Sequence, residues 1–460
     1  KRDKTSKTGR LLSTVPTGRL SVLAHLLLPL VLLSLLGGLF AADLHRPPQP
    51  PLTPVSVAAQ PAANPDDLAD PYPRLGVLFH DRPDALLPEP TMSFGLVLLK
   101  HKDPERPGRF KRLTFDELGR SNNTCLRVEG AEQLFGHTPG RWRTMAKPLG
   151  SDNQGRQRQG MRSIWEWPGP HIVVTQRVEI VAGEQTRLLD TCRVSYTILN
   201  EDDRPHNVGL RFLLDTFIGA NDGVPFHIPG INRLIDTSKR FDEPAAVPAF
   251  IEALEHDRLD NPGTVAHLQL RLGKRLESPS RVTLGSWPDP ALAQRPGGQK
   301  ARGQLTGWDV PVLSMHALPQ ADSAVTLYWD ERPLLPGDRR VVGFAYGLVG
   351  IASSEGKGEL AATVGGSFRP GGQFIVSAYL SQPAPGQTVN LALPEGFSLV
   401  DGAAEQRVPP VPAGATRRQS AVVWTVQAPS QEGRYRLRVV SSDGVSQTIP
   451  VTVREWRLFD

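Results

Sequence analysis

Cys192-Arg-Val-Ser-Tyr-Thr-Ile198 decides the fold class. Cys192, Val194, Tyr196 and Ile198 share one parity, and Arg193, Ser195 and Thr197 share the other. Side chains of an extended chain point alternately to opposite sides, so a period of two describes a strand with one face buried and one wet. The rule repeats outward. Upstream, Ile172, Val174, Val178 and Ile180 keep one parity, interrupted by Gln176. Downstream, Leu210, Phe212 and Leu214 follow it, as do Ala266, Leu268, Leu270 and Leu272 against His267, Gln269 and Arg271. Residues 325–329 and 341–348 read as strands around a turn at Pro336-Gly337-Asp338. One stretch reads differently: in residues 246–259, Phe250, Ile251 and Leu254 share a helical face, so a helix is expected there.

The last hundred residues repeat the strand pattern on a smaller scale. Phe374, Val376, Ala378 and Leu380 alternate, as do Val422, Trp424 and Val426, then Tyr435, Leu437 and Val439, then Ile449, Val451 and Val453. Val389, Leu391 and Leu393 run into a turn at Pro394-Glu395-Gly396. Short strands punctuated by turns describe an immunoglobulin-like sandwich over residues 358–454. Residues 75–352 read as a larger β-sandwich, so the expected class is all-β. Gly and Pro supply 43 residues each of 460. Together they usually supply about 12%; the excess suits many turns and few long helices.

The N-terminus carries a different signal. Lys1, Arg2, Lys4, Lys7, Arg10 and Arg19 precede a run, residues 20–42, without Asp, Glu, Lys or Arg. About 20 apolar residues cross a ~30 Å hydrocarbon core, and charge is costly inside it. Residues 20–42 are therefore expected to form a transmembrane signal-anchor helix. Residues 1–19 become a basic cytoplasmic segment, and the bulk of the chain becomes periplasmic or extracellular. A cleaved signal peptide, with Phe40-Ala41-Ala42 near the cut, and a buried soluble helix stay open as alternatives. Residues 43–74 are rich in proline and read as an extended, semi-rigid linker. Lys1 is not a methionine, which leaves an upstream segment open.

The formal charge is +5, with no dense basic stripe outside the N-terminus, which argues against nucleic acid as a partner. The two cysteines, Cys125 and Cys192, form no CxxC or Cys/His cluster for a structural zinc. Cys192 is expected to point inward. Cys125 is ambiguous, because Leu126 and Val128 occupy the opposite parity. Outside the cytoplasm a Cys125–Cys192 disulfide and two separate buried thiols are both open. GxSxG, P-loop and HExxH patterns are absent.

The densest polar stretch is Asp215-Thr-Phe-Ile-Gly-Ala-Asn-Asp-Gly-Val-Pro-Phe-His-Ile-Pro-Gly230. Asp215, Asn221 and Asp222 offer hard oxygen ligands suited to Ca²⁺, and Gly219 and Gly223 permit sharp turns. The spacing is not that of an EF-hand, so a structural turn and a substrate-contacting loop compete with the metal reading. No other cofactor is expected. Glu166, between Trp165 and Trp167, is the candidate catalytic acid, with Asp215 or Asp222 as partner. Glycoside hydrolysis needs two carboxyl groups about 5–10 Å apart, and tryptophans can stack on sugar rings; the same tripeptide also fits a strand with its rings on one face. Asn122 formally opens a glycosylation sequon, Asn122-Asn123-Thr124.

Phe368-Arg-Pro-Gly-Gly-Gln-Phe-Ile-Val-Ser-Ala-Tyr-Leu380, followed by Leu393-Pro-Glu-Gly-Phe397, resembles bacterial immunoglobulin-like modules of the NEW3 type. Such modules sit outside the cell and commonly accompany carbohydrate-active or surface domains. The central part resembles, at fold level, the galactose-mutarotase-like β-supersandwich. Fold does not establish function, and the resemblance transfers no catalytic residue. The expected function is a membrane-anchored extracytoplasmic protein acting as a non-enzymatic envelope binding or structural module. Its partner would be an envelope protein or a glycan. The alternatives are a carbohydrate-active enzyme or glycan-binding protein, and an accessory subunit of a membrane protein complex.

Overall fold

The computed structural model describes residues 73–455, apart from 152–154, 156, 232, 258–261, 274–275, 289–306, 350–351, 354–359 and 412–417. The basic segment, the apolar run and all but the last two residues of the Pro-rich linker lie outside the described residues. Every regular element among the described residues is a β-strand.

Thr191–Asn200, the strand that contains the deciding heptapeptide, lies inside an eight-stranded sheet. Ile172–Val181 and Arg339–Leu348 flank it, both antiparallel. A six-stranded sheet faces this one, with His206–Asp215 paired between Ala324–Leu334 and Asn123–Val128. Cys192, Val194, Tyr196 and Ile198 from the first sheet and Leu210, Phe212, Leu214, Leu327 and Trp329 from the second share one buried cluster. The Phe212 and Phe344 rings meet across it at 4.7 Å. This is a β-sandwich, and the parity read from the sequence is the parity of its core. A three-stranded sheet, Leu75–Phe79 with Phe94–Lys102 and Phe110–Arg112, adds Leu75, Phe94, Leu96 and Leu98 to the same core.

Gln176 breaks the apolar parity for a reason that lies across the core. It is 3% exposed and donates to Tyr196 Oη at 3.1 Å, which in turn meets Thr124 Oγ1 at 2.8 Å. The chain of hydroxyl and amide groups links the two sheets and leaves each buried polar group with a partner, as burial requires.

The helix expected over residues 246–259 is not formed. Phe250–Leu254 is a strand buried along its whole length, paired with Phe226–His227 and Val265–Gln269. Ile251 and Ala253 face the sandwich core, whereas Leu254 enters a second cluster with Val265, Ala361, Tyr379 and Ala421. Both faces of the strand are covered, so its apolar residues lose the period of two and imitate a helical face.

Leu360–Gly366, Gln373–Ser381 and Gln419–Gln427 form the centre of a five-stranded sheet. Its edge strand, Ala352–Ser353, begins ahead of the expected position 358. A four-stranded sheet built on Thr388–Ala392, Gly433–Ser441 and Ser446–Val453 closes over it, around Trp424, Val376, Leu391 and Leu437. This second sandwich rests on the first through the Tyr379 cluster.

Candidate functional site

The strand His206–Asp215 is buried almost from end to end, and it delivers Asp215 to one end of the six-stranded sheet. Asp215 pairs in register with Ala324, so Asp322, two residues before that strand, comes alongside. The chain leaving Asp215 then folds back on itself. Ile218 and Asn221 exchange backbone hydrogen bonds at 3.0 Å, around a Gly219 whose φ is +66°. A Cβ on Gly219 would fall 2.4 Å from the Glu255 carboxylate, so glycine is required twice over. Four residues later the loop touches Ala321, where a Cβ on Gly223 would meet the alanine methyl at 2.4 Å. That close approach sets Asp222 next to Asp322. Ser323 fixes the arrangement: its Oγ donates to Asp222 O at 2.7 Å and contacts Thr216 Oγ1 at 2.8 Å.

Asp215, Asp222 and Asp322 thus bring one carboxylate oxygen each within 4.8 Å of one another. Asp215 is 3% exposed, and its Oδ1 has no hydrogen-bond partner; Asp222 Oδ1 has none either. Burial, opposed by the Ser121 hydroxyl and reinforced by the Asp322 and Asp222 charges, holds the Asp215 carboxyl far above the usual carboxylate range. Burial and Asp322 push Asp222 up to about 7. Asp215 and Asp222 therefore meet, as the sequence suggested, but Asn221 does not join them. Its amide Nδ2 donates to Glu255 O at 2.7 Å. The third acid, Asp322, lies about a hundred residues on, with no local pattern to announce it.

Glu166 sits elsewhere, in Gln159–Trp167 of the opposite sheet. Its Oε2 accepts from Arg143 Nε at 2.8 Å and Arg141 Nε at 3.1 Å, and its Oε1 from Arg141 Nη2 at 3.2 Å. Arg143 and then Arg141 hold its carboxyl down at about 2. A carboxylate so fixed is a poor proton donor at neutral pH. Trp165 is fully buried in the sandwich core, so it offers no ring face to a sugar. Both cysteines are free and buried. Cys192 joins the core, but Cys125 lies on the other face of its strand, paired in register with Arg211. Of the two arrangements left open, the structure has two separate buried thiols, because the far face of one sheet cannot reach into the core beneath it. Asn122, the sequon residue, is 2% exposed and uses its amide to bind Phe94 O and the Asp215 N–H.

Two hollows among the described residues bear on the site. Between the sheets, beside Gln176, Tyr196 and Thr124, lies a cavity of about 30 Å³. That is room for a water or two and no sugar ring. An open groove of about 440 Å³ runs past Leu98, His101, Lys111, Glu255, Thr264 and Leu348. Inside it Lys111 Nζ donates to Glu255 Oε2 at 2.6 Å and to Thr264 Oγ1 at 2.8 Å. Gly219 and Asn221 touch Glu255, so groove and acidic loop are neighbours.

No family model and no curated protein matches the chain. Among solved structures, a polysaccharide lyase overlaps 84% of this chain and 47% of its own, at 12% identity and a TM-score of 0.31. A galactose mutarotase related enzyme from Lactobacillus acidophilus overlaps 61% of this chain and 96% of its own, at 11% identity and a TM-score of 0.28. A heparan sulfate lyase from Pedobacter heparinus overlaps 83% and 39%, at 9% identity and a TM-score of 0.27. The chain spans about half the length of the polysaccharide lyase. Overlaps this weak leave its function to be argued from its own residues.

Proposed function

We propose that this chain is a membrane-anchored, extracytoplasmic binding module without catalytic turnover, held off the membrane by its Pro-rich linker. The terminal nine strands are read as an immunoglobulin-like platform beside the binding sandwich. The observation that carries the reading is the groove at Lys111 and Glu255: its volume of about 440 Å³ suits one polar unit of a larger partner, and its ionic groups are paired with each other at 2.6 Å, not poised as separate acid and base. The ligand is an envelope glycan or the polar surface of an envelope protein. The test uses the full chain in a bacterial host. Carbonate-resistant membrane association, exposure of residues beyond 74 to external protease, and retention on isolated envelope polymers lost in Lys111→Ala are the expected results. Release of reducing ends from those polymers, or a chain confined to the cytoplasm, sinks it.

A carbohydrate-active enzyme is the second reading, and one observation favours it. Asp222 and Asp322 are neighbouring half-buried carboxyls, and Asp222 is raised to about 7, where a general acid operates. Turnover abolished in Asp222→Asn would establish that reading over the first.

A further inference from the structure

We propose that Asp215, Asp222 and Asp322 form a calcium site at the end of the central sandwich. Their carboxylate oxygens lie within 4.8 Å of one another. Two Ca²⁺–oxygen bonds of about 2.3–2.6 Å span about 4.6–5.2 Å, so one ion reaches all three. The acidic cluster alone would not carry this. The second observation is Asp215 itself: it is 3% exposed, its Oδ1 is sealed from solvent, and no hydrogen bond closes on that oxygen although the Ser121 hydroxyl lies near the carboxyl. A buried carboxylate oxygen without a partner costs free energy, and a hard cation supplies the missing contact. The donor set is oxygen only, which suits calcium over zinc or copper.

The surrounding charges leave the acids in excess. Arg112 is within electrostatic reach of Asp222, but its guanidinium is held by Asp103 at 3.2 Å and lies 3.9 Å over the Phe217 ring. Asp116 adds negative charge near Asp215 and is itself tied to Arg120 at 2.6 Å. Asp215 ends a paired strand and Asp322 lies two residues before its partner strand, while Ser323 Oγ ties down the loop that carries Asp222 by accepting from Val224 N–H and donating to Asp222 O. The Trp287 backbone N–H donates to Asp322 Oδ1 at 3.4 Å and its indole Nε1–H donates to Ser121 O at 3.1 Å, which places an indole beside the site.

The inference is independent of membrane anchoring and of the groove. Its test is terbium luminescence on the purified full chain, excited through tryptophan, with calcium as competitor and a thermal melt in CaCl₂ or EDTA as the second readout. Saturable terbium emission displaced by calcium, and a melting temperature raised by calcium, are the expected results. Asp322→Asn, at a half-buried position, should bind at least tenfold more weakly while melting like the wild type in EDTA; Asp215→Asn should bind no calcium. Wild-type protein with neither signal overturns the site. So does a calcium response that survives in both variants. A response to magnesium without one to calcium overturns the calcium assignment. If Asp215→Asn fails to fold, Asp322→Asn decides alone.

Discussion

Replacing Glu166 by Gln separates a structural acid from a catalytic one. The carboxylate accepts three hydrogen bonds from two guanidiniums, at 2.8, 3.1 and 3.2 Å. A hydrogen bond to a charged group is worth about 1.5–3 kcal/mol net when buried. Here the partners are wet: the Arg141 side chain is 68% exposed and that of Arg143 is 38% exposed, and Arg143 keeps Glu201 at 2.6 Å. Solvent recovers much of the loss, so the variant should be about 1–2 kcal/mol less stable at pH 7. In a domain of about 150–250 residues each kcal/mol moves the melting temperature by about 2–4 °C, and a larger domain moves less. The pH dependence carries the sign. The folded carboxyl titrates at about 2, below the usual carboxylate range. A depressed acid contributes stability that is fully present above about pH 4.5 and disappears as pH falls toward 2. Thermal unfolding of wild type and Glu166→Gln, measured from pH 7 down to pH 2, should therefore show two curves that converge in acid. Equal stability at pH 7, or a gap that persists undiminished at pH 2, would refute the account. A variant as stable as wild type yet inactive on a polymer would return Glu166 to catalysis.

Three further outcomes follow from the packing. Gly140→Ala puts a methyl 1.8 Å from the Trp165 ring, which is fully buried, so it should cost about 1–3 kcal/mol in urea unfolding; an unchanged midpoint contradicts the packing. Tyr379→Phe removes the hydroxyl that binds Glu252 Oε2 at 2.8 Å and also contacts His227 Nδ1, at the contact of the two sandwiches. It should cost about 1–3 kcal/mol and raise hydrogen exchange in Leu360–Gly366 and Gln373–Ser381; unaltered exchange there argues that the contact is dispensable. Burial pushes the Cys125 thiol up to about 11 and Cys192 higher still. Iodoacetamide at pH 8 should label neither in the native chain and both after denaturation; native labelling, or loss of both thiols to oxidation without unfolding, contradicts their placement.

What the sequence made legible was one-sided strands. Cys192 to Ile198 could be read because one face of that strand meets the core and the other does not, so burial left a period of two. Phe250–Leu254 could not, because the second sandwich covers its outer face, and an apolar run with both faces covered carries no period at all. The same logic separates the members of the acidic site. Asp215 and Asp222 were legible because they lie seven positions apart in one stretch punctuated by Gly219 and Gly223, and a loop leaves a compositional trace. Asp322 was not, since it arrives through the antiparallel pairing of Asp215 with Ala324, and the pairing partner of a strand is written nowhere near it. Asn221 was misread for the opposite reason: local proximity placed it with the acids, but in a turn of four residues neighbouring side chains point apart, and its amide went to Glu255 O. Glu166 shows the limit of composition. An acid between two tryptophans suggests a sugar platform, yet strand alternation alone sends Trp165 inward and leaves Glu166 to whatever charges the adjacent strand presents, which here are Arg141 and Arg143. A site on a β frame is thus assembled by register, and register is fixed by contacts that sequence neighbours do not share.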